Sequence, residues 1–175
     1  MPTFRTASHD GVPYNPFLDI GFDETAFFDI LKKKNLVFLY KLHFCDEASD
    51  VRLHNERFMQ VRDIDFDDLY VLLNNVDILI TDYSSVYFDF IVTRKPVILA
   101  PFDYEFYIKK ARAHYFDYFK NMEGIKAKTW PELCDILENE TYYPVSDNTI
   151  IKYCEYNDGN SSAKCFHEIR DRQTC

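Results

Sequence analysis

Short runs that are apolar throughout alternate along this chain with stretches in which apolar side chains recur every three or four positions. The runs from Asn35 to Leu42 (NLVFLYKL), Val76 to Thr81 (VDILIT) and Pro96 to Ala100 (PVILA) predict β-strands, with a weaker candidate from Phe58 to Val61. Apolar residues at successive positions leave neither face of a strand polar, which is the pattern of parallel strands covered on both sides. Helical spacing fills the intervals: Asp23 to Lys34, Phe66 to Asn74 and Ser84 to Thr93. After Pro101 comes an aromatic-rich stretch, DYEFYIKKARAHYFDYF, and then a short loop around Gly124. Trp130 to Asn139 reads as a helix with Pro131 in its first turn. Ser146 to Tyr156 and Ser161 to Arg172 read as two more, joined by the turn Asn157-Asp158-Gly159-Asn160. Alternating β and α elements without repeats or a linker predict one α/β domain over residues 1–175, built on a Rossmann-like, mostly parallel sheet with helices on both faces.

Composition narrows the class. With 47% hydrophobic and 17% aromatic residues the chain is too apolar to be disordered, and 175 residues suffice for a single substantial core. The balance of 20 basic against 29 acidic side chains gives a net charge of −9, which argues against binding a nucleic-acid backbone but not against binding one nucleotide through a local cluster of donors. No apolar run approaches the roughly 20 residues of a membrane span, and the N-terminus carries no signal-peptide pattern, so an intracellular location is expected. The cysteines, Cys45, Cys134, Cys154, Cys165 and Cys175, are scattered without a CxxC pair and read as reduced thiols.

Chemistry concentrates in Asp77-Ile-Leu-Ile-Thr81-Asp82-Tyr-Ser84-Ser85-Val-Tyr-Phe-Asp89. A buried strand ends at Thr81, a tight turn follows, and a helix begins at the serines. Ligands in open α/β sheets sit beyond the carboxyl ends of strands. A helix N-terminus offers unpaired N–H groups to phosphate, and two hydroxyls add donors there. The competing reading is a serine N-cap with Asp82 satisfying turn amides. Lys41-Leu42-His43 closes the Asn35 strand, so His43 is expected at the same sheet edge, where an imidazolium can donate to a phosphate or protonate a leaving group. Asp63-Ile-Asp65-Phe-Asp67-Asp68 has the look of a metal-binding acidic motif, but its position before a helix fits acids that favour the helix dipole. His9, His54, His114 and His167 have no partner pattern and read as surface or core.

Taken together these segments resemble the C-terminal domain of the CDP-glycerol:poly(glycerophosphate) glycerophosphotransferases, the teichoic-acid polymerases and their relatives. The resemblance runs through Pro2-Thr3-Phe4-Arg5, Lys41-Leu42-His43-Phe44, Asp77 to Phe90, Lys95-Pro96-Val97-Ile98, the Asp103-Tyr104 stretch, Tyr156-Asn157-Asp158-Gly159 and Ser161-Ser162. It implies the C-terminal half of a GT-B fold, in which two Rossmann-like domains enclose the active site. It further implies a CDP-activated polyol donor, no metal or other cofactor, and an anionic polymer or glycolipid acceptor. His43 would help CMP depart. Ser84 and Ser85 would hold the pyrophosphate, with Thr81, Asp82, Asp89 and Arg5 in the same donor site.

An N-terminal GT-B domain, in cis or in trans, would bring the acceptor site and a second histidine as general base. The resemblance places such an enzyme in the cytoplasm, peripheral at the inner face of the membrane. Phe44 departs from the family's usual proline, and Ala113-His114 from its frequent Gly-Phe. Two other readings stay open on sequence alone: a CMP-sialic-acid-type sialyltransferase or capsule polymerase domain, and a truncated, inactive nucleotide-binding remnant.

Overall fold

The computed structural model describes residues 1–3, 15–18, 21–42, 53–111 and 113–173. Helix α1 (Glu24–Lys33) forms where Asp23 caps it, its side chain accepting from the Ala26 N–H at 3.0 Å, and where Phe27, Ile30 and Leu31 make one apolar stripe. Helix α6 (Trp130–Asn139) has the same logic: Thr129 caps it, Pro131 occupies the first turn, and Trp130, Leu133, Ile136 and Leu137 face inward. The two stripes meet, and Lys33–Glu138 (2.6 Å) and Lys34–Glu140 (2.9 Å) ion pairs close the exposed edge of the contact.

Among the described residues the strands pair in parallel, beside two isolated antiparallel bridges, Asn55 with Phe58 and Pro96 with Pro144. Strands β1 (Phe38–Tyr40) and β2 (Phe58–Gln60) form one ladder, with Phe38 opposite Phe58. Strands β3 (Leu79–Thr81), β4 (Val97–Leu99) and β5 (Ile125–Lys126) form a second, with Leu79 opposite Val97 and Ile98 opposite Ile125. Side chains alternate along β4 between two cores. Ile98 joins Phe17, Phe27, Leu31, Tyr40 and Trp130 on one face. Val97 and Leu99 join Tyr87, Phe90, Tyr118 and Ile150 on the other. A strand buried on both faces cannot show a polar-apolar alternation, which is why its sequence is uniformly apolar.

The remaining helices are α2 (Leu69–Asn75), α3 (Val86–Ile91), the short α4 (Tyr104–Phe106) running into a π-helical turn (Tyr107–Ala111), α5 (Tyr118–Asn121), α7 (Asp147–Tyr153) and α8 (Ser161–Gln173). The acidic segment before α2 is used locally: Asp65 accepts from the Arg62 N–H at 2.7 Å, Asp68 caps α2, and Asp63 pairs with Lys41 at 2.7 Å. No helix among the described residues is long and apolar enough to cross a membrane.

Two features differ from the expectation of one sheet. Strand β5 lies where a loop is expected. Gly124, at φ 136°, turns the chain so tightly that a Cβ there would sit 3.0 Å from the Val97 carbonyl oxygen. The strands also split into two ladders. On the side of β3 away from β4 the Ile80 carbonyl accepts from the Met1 amine at 2.7 Å, so the chain's first residue takes one hydrogen bond that a neighbouring strand would otherwise make.

Candidate functional site

Strands β1 and β3 line the two sides of one cavity of about 400 Å³, walled by Phe38 to Lys41 and by Ile78 to Asp82, with Trp130 and Leu133 among its lining residues. In doubly wound sheets ligands bind in the crevice at the carboxyl ends of the strands. The cavity reaches that edge at Lys41, Thr81 and Asp82, and its lining also runs back to Asn35 and Asn75 before the amino ends of β1 and β3.

Thr81 and Asp82, both expected in the donor site, are buried and committed to the chain's first residues. The Thr81 hydroxyl donates to the Met1 carbonyl at 2.7 Å. The Asp82 carboxylate accepts from the Thr3 N–H at 2.9 and 3.0 Å, the Thr3 hydroxyl at 2.7 Å and the Tyr83 N–H at 2.6 Å. Asp82 therefore does what the capping alternative anticipates, fixing the turn, and it anchors residues 1–3 as well. A direct contact between this anion and a phosphate would set like charges together.

Ser84 and Ser85 follow in the turn. Ser84 accepts weakly from the Val86 N–H at 3.4 Å, and its O–H has no acceptor among the described residues. Ser85 is the N-cap of α3, is exposed, and has no hydrogen-bonded partner for its hydroxyl among the described residues. Helix α3 has only six residues, so its dipole is small and the hydroxyls carry more of any anion recognition there. Neither serine lines the cavity; the turn stands beside it, joined through Asp82. Asp89 is exposed on α3, where desolvation by its surroundings pushes its carboxyl up. It lies near Cys154, whose thiol is raised by burial and then by this carboxylate. Cys154 closes α7, and Asp89 is not among the residues lining the cavity.

On the opposite wall Lys41 is buried, its ammonium on Asp63 and 3.2 Å from the Leu42 carbonyl oxygen. His43 and Arg5 lie outside the described residues, so the expected convergence of His43 on the serine turn does too. Sequence reasoning missed the aromatic bracing behind the turn. Tyr83 donates to Asp103 at 3.2 Å and stacks on Tyr107 at 4.1 Å; Tyr118 donates to the Asp82 carbonyl at 3.1 Å. Burial pushes the Tyr118 phenol far up, so it stays a donor. The aromatic run Tyr104 to Phe119 was its visible signal, legible as a stripe but not as to what it held. Among the described residues no group of three His, Cys, Asp or Glu side chains is arranged to hold a metal ion.

The CDP-Glycerol:Poly(glycerophosphate) glycerophosphotransferase family matches residues 1–171. This chain belongs to that family. It is 34% identical over 175 residues to the teichoic acid ribitol-phosphate polymerase TarL of Staphylococcus aureus, covering 96% of this chain and 29% of TarL. To the teichoic acid poly(glycerol phosphate) polymerase of Bacillus spizizenii it is 34% identical over 108 residues, covering 60% of this chain and 27% of that protein. The solved structure of the wall teichoic acid polymerase TagF superposes with a TM-score of 0.66 at 23% identity, covering 98% of this chain and 42% of that one. A histidine-to-asparagine variant of TagF soaked with CDPG gives a TM-score of 0.66 at 25% identity, over all of this chain and 44% of the other. The fold is therefore that of TagF, an α/β, GT-B-like architecture with parallel strands flanked by helices. The chain spans less than half the length of these glycerophosphotransferase-family relatives. Membership favours the glycerophosphotransferase reading over the CMP-sialic-acid one.

Proposed function

We propose that this chain forms the donor side of a CDP-polyol phosphotransferase, which moves glycerol phosphate or a related polyol phosphate from its CDP ester to a teichoic-acid-type acceptor. One observation carries the reading: the family match over residues 1–171 includes both segments that reach the cavity at the carboxyl ends of β1 and β3, Lys41 and Thr81-Asp82, the latter leading straight into the Ser84–Ser85 turn. In the step proposed, an acceptor hydroxyl oxygen forms a bond to the phosphorus bearing the polyol, and the phosphoanhydride bond to CMP breaks. His43, as imidazolium, gives its proton to the departing CMP. Ser84, Ser85 and Arg5 hold the pyrophosphate, with Asp89 toward the nucleoside side. Hydrogen-bond donors take the place of a metal in neutralising the pyrophosphate. The acceptor's proton passes to a base on an N-terminal GT-B domain, in cis or in trans, which also carries the anionic polymer or glycolipid. Nucleic acid has no part in this reading, and the enzyme works in the cytoplasm at the inner face of the membrane. The relatives include both ribitol- and glycerol-phosphate polymerases at 34% identity, so the donor class is a CDP-polyol and the polyol itself is left open.

Calorimetry on residues 1–175 with CDP tests the assignment. Binding is expected in the micromolar to millimolar range, about −4 to −8 kcal/mol. His43→Ala should weaken it by about 1–3 kcal/mol, the scale of a hydrogen bond to a charged group. Transfer to an acceptor should appear only when an N-terminal domain is supplied. CDP binding indifferent to His43→Ala would remove His43 from the site, and polymerisation by these residues alone would remove the need for a second domain.

A further inference from the structure

His114 is a titratable side chain near the serine turn that the proposed reaction does not use. Its ring stands among five others: Tyr83 at 5.3 Å, Tyr104 at 6.0 Å, Tyr107 at 5.6 Å, Phe116 at 6.5 Å and Tyr118 at 5.5 Å between centroids. Its Nε2 is buried with no hydrogen-bond partner among the described residues. A phenyl ring would fill this space without orphaning a nitrogen, and an unsatisfied buried group calls for an explanation in what it does. The imidazole touches both tyrosines that brace the turn. Tyr83 sits between Asp82 and Ser84 and is tethered to Asp103; Tyr118 donates to the Asp82 carbonyl. The adjoining Tyr107–Ala111 turn is π-helical, a geometry that recurs at functional positions.

We propose that His114 is a positioning residue for the Ser84–Ser85 turn, and that the turn keeps its geometry only while this imidazole is neutral. The groups facing it are the Asp82 carboxylate from the end of β3, the phenol rings of Tyr83, Tyr104, Tyr107 and Tyr118, and Asp103 behind Tyr83. Burial among the rings lowers its pKa, and the more distant Asp82 charge offsets only part of that. The packed arrangement is thus favoured above the ordinary histidine pKa and weakens as pH falls below it, when the imidazolium draws water between the tyrosines. That the turn serves donor phosphates rests on the function proposed above; the coupling of His114 to the turn does not.

NMR on the ligand-free protein tests the coupling directly. As pH is lowered from about 8 to about 4, the Ser84 and Ser85 amide resonances should shift with one midpoint, below the ordinary histidine pKa and shared with the His114 ring proton. In His114→Phe, which keeps the ring stacking, those amides should stay at their high-pH positions throughout. In His114→Ala they should move at every pH. Serine amides that hold still while His114 titrates, or that still titrate in His114→Phe, would overturn the proposal, as would a His114 ring that does not titrate in this range. A parallel CDP titration separates the two readings: wild-type affinity should fall several-fold toward low pH and flatten in His114→Phe. Absence of CDP binding at any pH, with the amide coupling intact, would sink the donor assignment alone.

Discussion

The carboxylate of Asp82 holds Thr3 by two groups at once, accepting from its backbone N–H at 2.9 Å and from its hydroxyl at 2.7 Å, across 79 positions of sequence. Asp82 is buried and Thr3 half-buried, so these bonds are partly shielded from competing water. The same carboxylate orients Tyr83, and through it the serine turn.

Asp82→Ala should therefore cost about 1–3 kcal/mol in urea unfolding, since it strands the half-buried Thr3 and Tyr83 donors. Thr3→Ala removes the hydroxyl bond alone and should cost about 1 kcal/mol. Equal stability of Asp82→Ala and wild type would mean that residues 1–3 are not anchored there.

The two serines should separate stability from binding. Ser85 is exposed and its hydroxyl has no hydrogen-bond partner among the described residues, so Ser85→Ala should leave the melting temperature unchanged while weakening CDP by about 1 kcal/mol. Ser84→Ala also deletes the acceptor for the Val86 N–H and should lower both, the stability by a few tenths of a kcal/mol. A Ser85→Ala protein with full CDP affinity would remove that hydroxyl from the site.

Glu123 gives the acid limb of the stability curve a specific source. Partial burial opposes its charge, but hydrogen bonds from Thr149 and Ser146 outweigh that and hold the carboxyl below the usual range. A depressed carboxylate contributes stability that is complete above its unfolded pKa of about 4.3 and is lost as pH falls through the lower folded value. Denaturant melts of Glu123→Gln from about pH 6 downward should show a shallower loss than wild type. Parallel curves for the two proteins would contradict this.

Gly124→Ala should destabilise by about 1–3 kcal/mol, because it combines a backbone conformation hostile to side chains with a Cβ pressed on the Val97 carbonyl. Gly159→Ala is a control at positive φ with no atom within 4 Å of the new Cβ, and it should cost less. Comparable melting temperatures for the two variants would show that crowding against β4 is unimportant.

What the sequence determined by itself is local and periodic. Helices α1 and α6 were legible to within a residue because a capping side chain, a 3.6-residue apolar stripe and a terminating signal all act within one short segment. Strands β3 and β4 were legible because burial on both faces leaves only apolar residues, and Thr81 to Ser85 stood out because a strand end met two hydroxyls. The tertiary structure decided everything that depends on partners far along the chain. Strand β5 is two residues long and exists only through its pairing with β4, so no periodicity could announce it. The break between the two ladders, the use of Asp82 to anchor Thr3, and the packing of Tyr83 against His114 join segments tens of residues apart. A single side chain's identity is compatible with many such contacts. Which one forms is set by how the α/β layers stack, because burial and hydrogen-bond satisfaction are properties of the packed whole.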